Sequence, residues 1–390
     1  MQSIRDWKSA ELDGKRIVVR VDLNVPIVRG RVVDDWRLRA VLPTIRFLTD
    51  RGARVILLAH LGRPKGKRVP ELSLRPVAKR LATLLGKPVS FVPEVIGRRV
   101  QKAIARSAPG DVLLLENLRF FPGEEKNGVT FARNLAVLGD RFVQDGFAVC
   151  HRTDASLVRL PKLLPSAAGI LLSEEVAVLS HLLTRPKKPF VVLIGGAKIE
   201  TKIGVIRALA KKAQTVAIGG TLLVPFLKAS GYDVGSSPVT AKDVRLAKQL
   251  LALRPLLLPT DVVVATSPKA KPFVRKVKEI GAGECIYDIG PATIRAYAKK
   301  IRSAQTIVWN GPMGYAEIPT FSHGSHALAW IIASRSRGKA YGVIGGGETI
   351  QIMRKREVIE WMDWVSTGGG AMLMFLEGKA LPGIAAIQKK

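Results

Sequence analysis

The chain is predicted to be an α/β protein of two similar-sized domains, each a parallel sheet covered by helices. Three observations carry the prediction. Its 390 residues exceed what one hydrophobic core normally organises. Short runs rich in Val, Ile and Leu alternate with helical patterns from one end to the other. The runs are continuously apolar, as strands are when both faces of their sheet are covered.

In the first half, strands are expected at RIVVRVDLNV (16–25), ARVILLAHLG (53–62), DVLLLENLRF (111–120) and RFVQDGFAV (141–149). LLSEEVAVLSHLL (171–183) reads as one amphipathic helix closed by Arg185-Pro186, since the residue before a proline is biased away from helix. It is the expected connector and hinge, so the division is 1–170, a connecting segment 171–186, and a second domain from 187. There the scheme repeats with PFVVLIGG (189–196), TVAIGG (215–220), DVVVAT (261–266), TIVWNG (306–311) and AYGVIGGG (340–347), several ending in glycine.

Composition narrows the function. A hydrophobic fraction of 47% and a charged fraction of 24% are those of a globular protein. No apolar run approaches the roughly 20 residues that cross a bilayer, and the opening MQSIRDWKSAELDGKR lacks the apolar centre of a secretory signal, so no membrane partner and a cytoplasmic location are expected. Two cysteines, Cys150 and Cys285, make neither a disulfide framework nor a metal-ligand pair. The 62 Lys and Arg against 31 Asp and Glu leave a net charge of +31, a field that attracts polyanions. The basic residues recur along the whole chain (65–68, 98–106, 269–278, 354–356) rather than in one tail, which favours solvated faces over a specific nucleic-acid partner.

In open parallel sheets, ligands gather at the carboxyl ends of the strands. In the first half those ends carry Asp22, Asn24, His60, Arg63, Arg119, His151 and Arg152, with Arg37 opening the helix after the first loop. Several guanidinium groups on one mouth suit a small, multiply charged phosphate or carboxylate, because the planar fork binds such oxygens in pairs. In the second half the ends carry Gly195-Gly196-Ala197-Lys198, Gly219-Gly220-Thr221, Asn310-Gly311-Pro312, Gly345-Gly346-Gly347-Glu348-Thr349 and Ser366-Thr367-Gly368-Gly369-Gly370. One glycine pair is an ordinary tight turn. Five such loops before helices argue for a nucleotide, whose phosphates sit on free amides at helix N-termini. Lys198 and Lys202 are spaced i, i+4 and are expected on one face at the start of a helix.

No GxxxxGK[ST] occurs, and no strand is followed by GxGxxG with a ribose-binding acid, so P-loop and Rossmann chemistry are disfavoured. His151-Arg152-Thr153-Asp154 lacks the companion motifs of a protein-kinase catalytic loop. Cys150 has no base marked beside it and reads as a packed thiol, while His181, His323 and His326 lack ligand spacing and read as structural.

Nine blocks, in order over essentially the whole chain, resemble the signatures of the phosphoglycerate kinase family. They are RVDLNVP (20–26), HLGRP (60–64), LLLENLRF (113–120), FVQDGFAVCHR (142–152), GGAKIETKI (195–203), DIGP (288–291), VWNGPMG (308–314), GGGET (345–349) and STGGGAMLMFLEGKALPGI (366–384). The resemblance implies two domains facing across a cleft, with the second ending near 374 and the stretch 375–390 returning to the first. It implies transfer of a phosphoryl group between 1,3-bisphosphoglycerate and ADP, a step of glycolysis, by an enzyme that is usually a monomer. By motif, 3-phosphoglycerate would contact Asp22, Leu23, Asn24, Arg37, His60, Leu61, Gly62, Arg63, Arg119 and Arg152. ADP or ATP with Mg²⁺ would contact Lys202, Asn310, Glu317, Gly346, Gly347, Glu348 and Thr349, beside the loop glycines Gly196 and Gly220, with Glu317 on the ribose and Glu348 reaching the metal.

The acceptor is a carboxylate already ionised at neutral pH, so no general base is required. The implied catalytic groups, Arg37, Lys198 and the amides of Gly369 and Gly370, would position and neutralise the migrating phosphoryl, and domain closure would exclude water. The chain departs from the family pattern at Glu348, where Asp is usual, at Asp154, where His is common, over 146–149, and at Ala292, where Lys is frequent. Those departures motivate a second reading, a catalytically weak homologue that binds nucleotides or anions.

Overall fold

Each apolar run becomes a strand only over its amino-terminal part. The computed structural model describes residues 1–388. The first stretch contains β1 (Arg16–Arg20), a small hairpin of β2 (Ile27–Val28) and β3 (Arg31–Val32), then β4 (Arg54–Leu58), β5 (Val89–Val92), β6 (Val112–Leu115), β7 (Arg141–Gln144) and β8 (Ser166–Ala168). All but the hairpin form one six-stranded parallel sheet in the order β5-β6-β4-β1-β7-β8. Ile17 pairs with Val55 on one side and Arg141 on the other. Ile17, Val18 and Val19 are fully buried, and helix Trp36–Thr49 contributes Leu38, Val41, Ile45 and Leu48 to the same core.

The sequence runs overshoot the strands at their carboxyl ends, and burial explains why. Val21, Leu23 and Val25 follow β1, and Leu118 and Phe120 follow β6 in a 3₁₀ turn, yet all are buried. An apolar loop that floors a binding mouth reads like more strand. β5 and β8, half-polar or short, escape the same reading.

The second stretch contains β9 (Phe190–Ile194), β10 (Thr215–Ile218), β11 (Leu256–Leu257), β12 (Asp261–Ala265), β13 (Phe273–Lys276), β14 (Cys285–Ile289), β15 (Thr306–Asn310), β16 (Tyr341–Gly345) and β17 (Trp364–Ser366). Six form a parallel sheet in the order β11-β10-β9-β15-β16-β17. β12 corrects the expectation of a parallel strand at 261–266, because it is the centre of a separate antiparallel sheet β13-β12-β14. A Val-rich run fits either kind of sheet; antiparallel neighbours need only short connections, whereas parallel ones need a crossover.

Contacts divide the chain into Met1–Ala177 with the stretch from Ala380, and Val178–Lys379. The helix expected at 171–183 spans Ile170–Thr184, and the division falls inside it. No helix among the described residues is long and apolar enough to cross a membrane.

Asp145 anchors the first turn of that helix. It follows β7, is fully buried, and its Oδ1 accepts the Leu172 amide at 3.2 Å. Burial pushes its carboxyl up to about 7, against the opposing pull of Thr44 and the helix amides. Its folded value therefore lies above that of the unfolded chain, so its stabilising contribution is full below about pH 4 and is lost as pH rises through about 7. Urea titrations across this window should show Asp145→Asn gaining on the wild type as pH rises, by on the order of 4 kcal/mol in total, with no further change above the window. A difference that does not vary with pH would contradict the assignment.

Candidate functional site

The carboxyl ends of β1, β4, β6 and β7 carry a cationic cluster centred on His60. Asp22, in the loop after β1, accepts Arg37 Nη1 at 2.7 Å and the Asn24 amide at 3.2 Å. Arg37, at the first turn of helix Trp36–Thr49, also donates to the Asn24 carbonyl at 3.2 Å. Asn24 Oδ1 accepts the Gly62 amide at 3.0 Å, which ties the β1 loop to the β4 loop. Arg119, buried after β6, donates Nη1 to the Gly62 carbonyl at 2.8 Å.

His60 is buried, and its pKa lies well below the usual histidine value. Burial is the largest cause, followed by the charges of Arg20, Arg119, Arg152 and Arg37. Four guanidinium groups therefore surround one neutral imidazole. Arg119 is itself held below the ordinary guanidinium value by burial and by Arg152. Its Nε and Nη2 have no hydrogen-bond partner, the nearest carboxylates being Glu125 at 3.6 Å and Asp154 at 3.7 Å.

The sequence-predicted residues are sorted by this geometry. Asp22, Asn24, Arg37, His60, Gly62, Arg119 and Arg152 come together. Leu23 and Leu61 turn into the core, which leaves only their backbone for a ligand. Arg63 stays exposed. Sequence reasoning missed Arg20, fully buried at the end of β1, which donates Nε to Ser156 Oγ at 2.9 Å and approaches His60 Nδ1 at 3.5 Å. It also missed Glu124, fully buried, which accepts both the Ser156 hydroxyl and amide. Burial raises the Glu124 carboxyl, and Arg20 pulls it back. The available signal for Arg20 was an arginine interrupting the apolar run 16–25 between Val19 and Val21.

In the second unit the glycine loops after β9, β15, β16 and β17 line a cavity of about 490 Å³. Gly195 is required by close approach, since a Cβ there would lie 1.9 Å from the Pro312 carbonyl oxygen. Gly346, at φ +99°, takes a conformation few side chains tolerate and opens helix Gly347–Lys355. Helix Gly369–Leu376 begins at the same cavity, so two sets of helix N-terminal amides face it.

Lys198, exposed, and Lys202, buried, both line the cavity, but not by the expected helical spacing. A 3₁₀ turn, Ile199–Thr201, separates them, and the helix starts only at Ile203. Lys202 Nζ donates to Asn310 Oδ1, and Asn310 Nδ2 donates to the Gly345 carbonyl at 2.8 Å. Burial lowers the Lys202 ammonium to about 8, against the opposing charge of Glu348. Thr349 Oγ1 accepts the Gly311 amide at 2.8 Å, and Glu348 and Gly347 complete the wall.

Gly220 stands behind this wall instead of in it, its amide spent on the Met313 carbonyl at 2.7 Å. Gly369 lines the cavity and Gly370 lies exposed beside it. Glu317 is exposed outside the lining, yet its charge, after burial, helps raise the Glu348 carboxyl.

Comparison with known proteins gives one consistent result. The family model described as phosphoglycerate kinase matches residues 7–379. The phosphoglycerate kinase of Moorella thermoacetica is 48% identical over 390 residues, covering 98% of both chains, and that of Thermosipho africanus is 46% identical over 396 residues, covering 100% of this chain and 98% of that one. The solved phosphoglycerate kinase of Coxiella burnetii superposes with a TM-score of 0.84 at 39% identity over 99% of this chain and 98% of that one. That of Pyrococcus horikoshii OT3 gives 0.85 at 30% identity over 100% and 98%. With an arginine mouth on one parallel sheet and a glycine-loop cavity on the other, the chain belongs to the phosphoglycerate kinase family, glycolytic phosphotransferases whose acceptor is a carboxyl group.

Proposed function

We propose that the first unit holds 3-phosphoglycerate or 1,3-bisphosphoglycerate through Asp22, Asn24, Arg37, His60, Gly62, Arg119 and Arg152, and that the second holds ADP or ATP. The observation that carries this reading is Arg119, whose Nε and Nη2 are buried without hydrogen-bond partners. Such donors cost free energy until an acceptor completes them, and an anionic ligand does so best. His60 supports the reading from the other side. His60 Nδ1 lies 3.5 Å from Arg20 Nη2 and 4.0 Å from Asp22 Oδ1, which fixes the ring between a guanidinium and a carboxylate. A neutral His60 thus adds a hydrogen-bonding group to the mouth without adding charge.

A metal cage made of protein alone does not fit, since no cluster of three or more metal-ligating side chains occurs among the described residues. A single carboxylate beside a phosphate cavity fits an ion shared with a polyphosphate. Glu348 is that carboxylate, and a cation would relieve both the burial and the Glu317 charge that raise its pKa. When bound, Mg²⁺ neutralises charge on the phosphate oxygens. Lys202 and the amides at Gly347 and Gly369 hold the polyphosphate, while Lys198, Arg37 and the Gly369 and Gly370 amides stabilise the migrating phosphoryl. Transfer requires the ligands of the two units to come into line, so domain closure belongs to the proposed cycle.

A coupled assay following NADH oxidation with ATP and 3-phosphoglycerate tests the reading. Absence of turnover with Mg²⁺ or Mn²⁺, in protein that still binds ADP, would leave a binder in place of an enzyme. Lys198→Ala should lower turnover by about 100-fold while changing ADP affinity by less than about threefold. An equal loss in both would remove Lys198 from the transition state.

Lys202 is an ammonium below about pH 8 and neutral above it. ADP affinity should therefore fall as pH rises through that value, and binding above it should take up a proton. Titration calorimetry in buffers of different ionisation heat reads the uptake directly. Lys202→Met should flatten the profile; an unchanged profile in that variant would place the titration elsewhere.

A further inference from the structure

Three segments of the second unit converge at the edge of its parallel sheet opposite the glycine loops. They are the end of helix Pro291–Ser303, which precedes β15, the end of helix His323–Ser336, which precedes β16, and the 3₁₀ turn Ile359–Trp361, which precedes β17. Segments entering parallel strands lie at the amino edge, whereas the phosphate-facing loops leave at the carboxyl edge. The feature is therefore separate from the nucleotide cavity.

Between the ends of the two helices lies an open concavity of about 630 Å³, lined in part by Arg302, Trp330, Ser334, Arg335, Arg337 and Lys339. Trp330 is 52% exposed, while Trp7 and Trp309 are buried. Its ring packs 5.2 Å from that of Trp361, and the Arg337 guanidinium lies 4.9 Å from the Trp361 centroid. Arg335 is tied down, its Nε donating to the Ala304 carbonyl at 2.9 Å. Among the described residues Arg302, Arg337 and Lys339 have no carboxylate partner, and no acidic residue lines the concavity. A helix C-terminal dipole accounts for a cation beside it, as for Arg335. It does not account for a half-exposed indole set among cations.

Flat aromatic faces interleaved with unpaired cations are the chemistry that receives stacked bases and their phosphates. We infer that this edge binds single-stranded nucleic acid, a base stacking on Trp330 while neighbouring phosphates meet Arg302 and Lys339. The open form of the site and the net charge of +31 favour a polyanionic strand over a single nucleotide.

The test is fluorescence anisotropy of a labelled oligouridylate of about twelve nucleotides, at roughly 0.15 M salt, with ADP saturating the catalytic cavity. Trp330→Ala should weaken binding on the order of tenfold, with Trp330→Phe retaining most of it. The double variant Arg302→Ala/Lys339→Ala should reduce the slope of log affinity against log salt by about 1.4. Phosphoglycerate kinase turnover should stay unchanged in all three, which also reports that they fold. No binding at this salt, undiminished binding by Trp330→Ala, or displacement by AMP at an affinity equal to that of the strand would each overturn the inference, the last by showing a mononucleotide pocket.

Discussion

The first unit is organised around the repulsion of four arginines. Arg20, Arg37, Arg119 and Arg152 all act on His60, and like charges in a poorly solvated site repel far more than they would in water. The chain holds them together with carboxylates from distant segments: Asp22 on Arg37, Glu124 beside Arg20 at 4.0 Å, and Asp154 beside Arg119 at 3.7 Å. The compensation is partial, since Arg119 keeps two donors without hydrogen bonds. A mouth built this way is preorganised for an anion, because the ligand supplies charge that the fold leaves out. The same cluster holds His60 neutral.

The second unit meets the same problem by other means. Its loops present backbone amides at the starts of helices Gly347–Lys355 and Gly369–Leu376, and glycines let loops approach one another where a Cβ would collide. Side-chain charge is sparse there: Lys202 is buried and held by Asn310, and Lys198 is exposed at the rim. Fixed amides suit a long polyphosphate that must be cradled along its length, whereas forked guanidinium groups suit a compact acid with charge at both ends. The proposed division of labour follows from the shapes of the two proposed ligands.

How far the sequence discloses this depends on the distance between interacting residues. The strand runs, and the polar residues just beyond them, are local signals, so Asp22, Asn24, His60, Arg119 and the glycine loops are readable in order along the chain. Arg20 is hidden because it sits inside an apolar run, and its partners Glu124 and Ser156 lie more than 100 residues away in two other elements. Gly220 looks like its neighbours in sequence, yet the Met313 carbonyl takes its amide, a fact that only tertiary packing decides. The Lys198 and Lys202 pair has helical spacing, but a 3₁₀ turn intervenes and separates a rim cation from a buried one. β12 is a strand as expected, in a different sheet, since a run of valines carries no information on which neighbour it pairs with.

Glu348 shows how a departure from a family pattern can be absorbed. It stands in the first turn of helix Gly347–Lys355, where the helix dipole favours a carboxylate. Burial and the charge of Glu317 act in the opposite direction, and Lys202 offsets them only in part. A carboxylate poised between these influences gains more from a cation than one already paired, whatever the length of its stem. Asp or Glu supplies the same hard oxygen donors. The local charge balance thus asks for a carboxylate at this position more strictly than it asks for an aspartate, and the proposed phosphoryl-transfer chemistry survives the substitution.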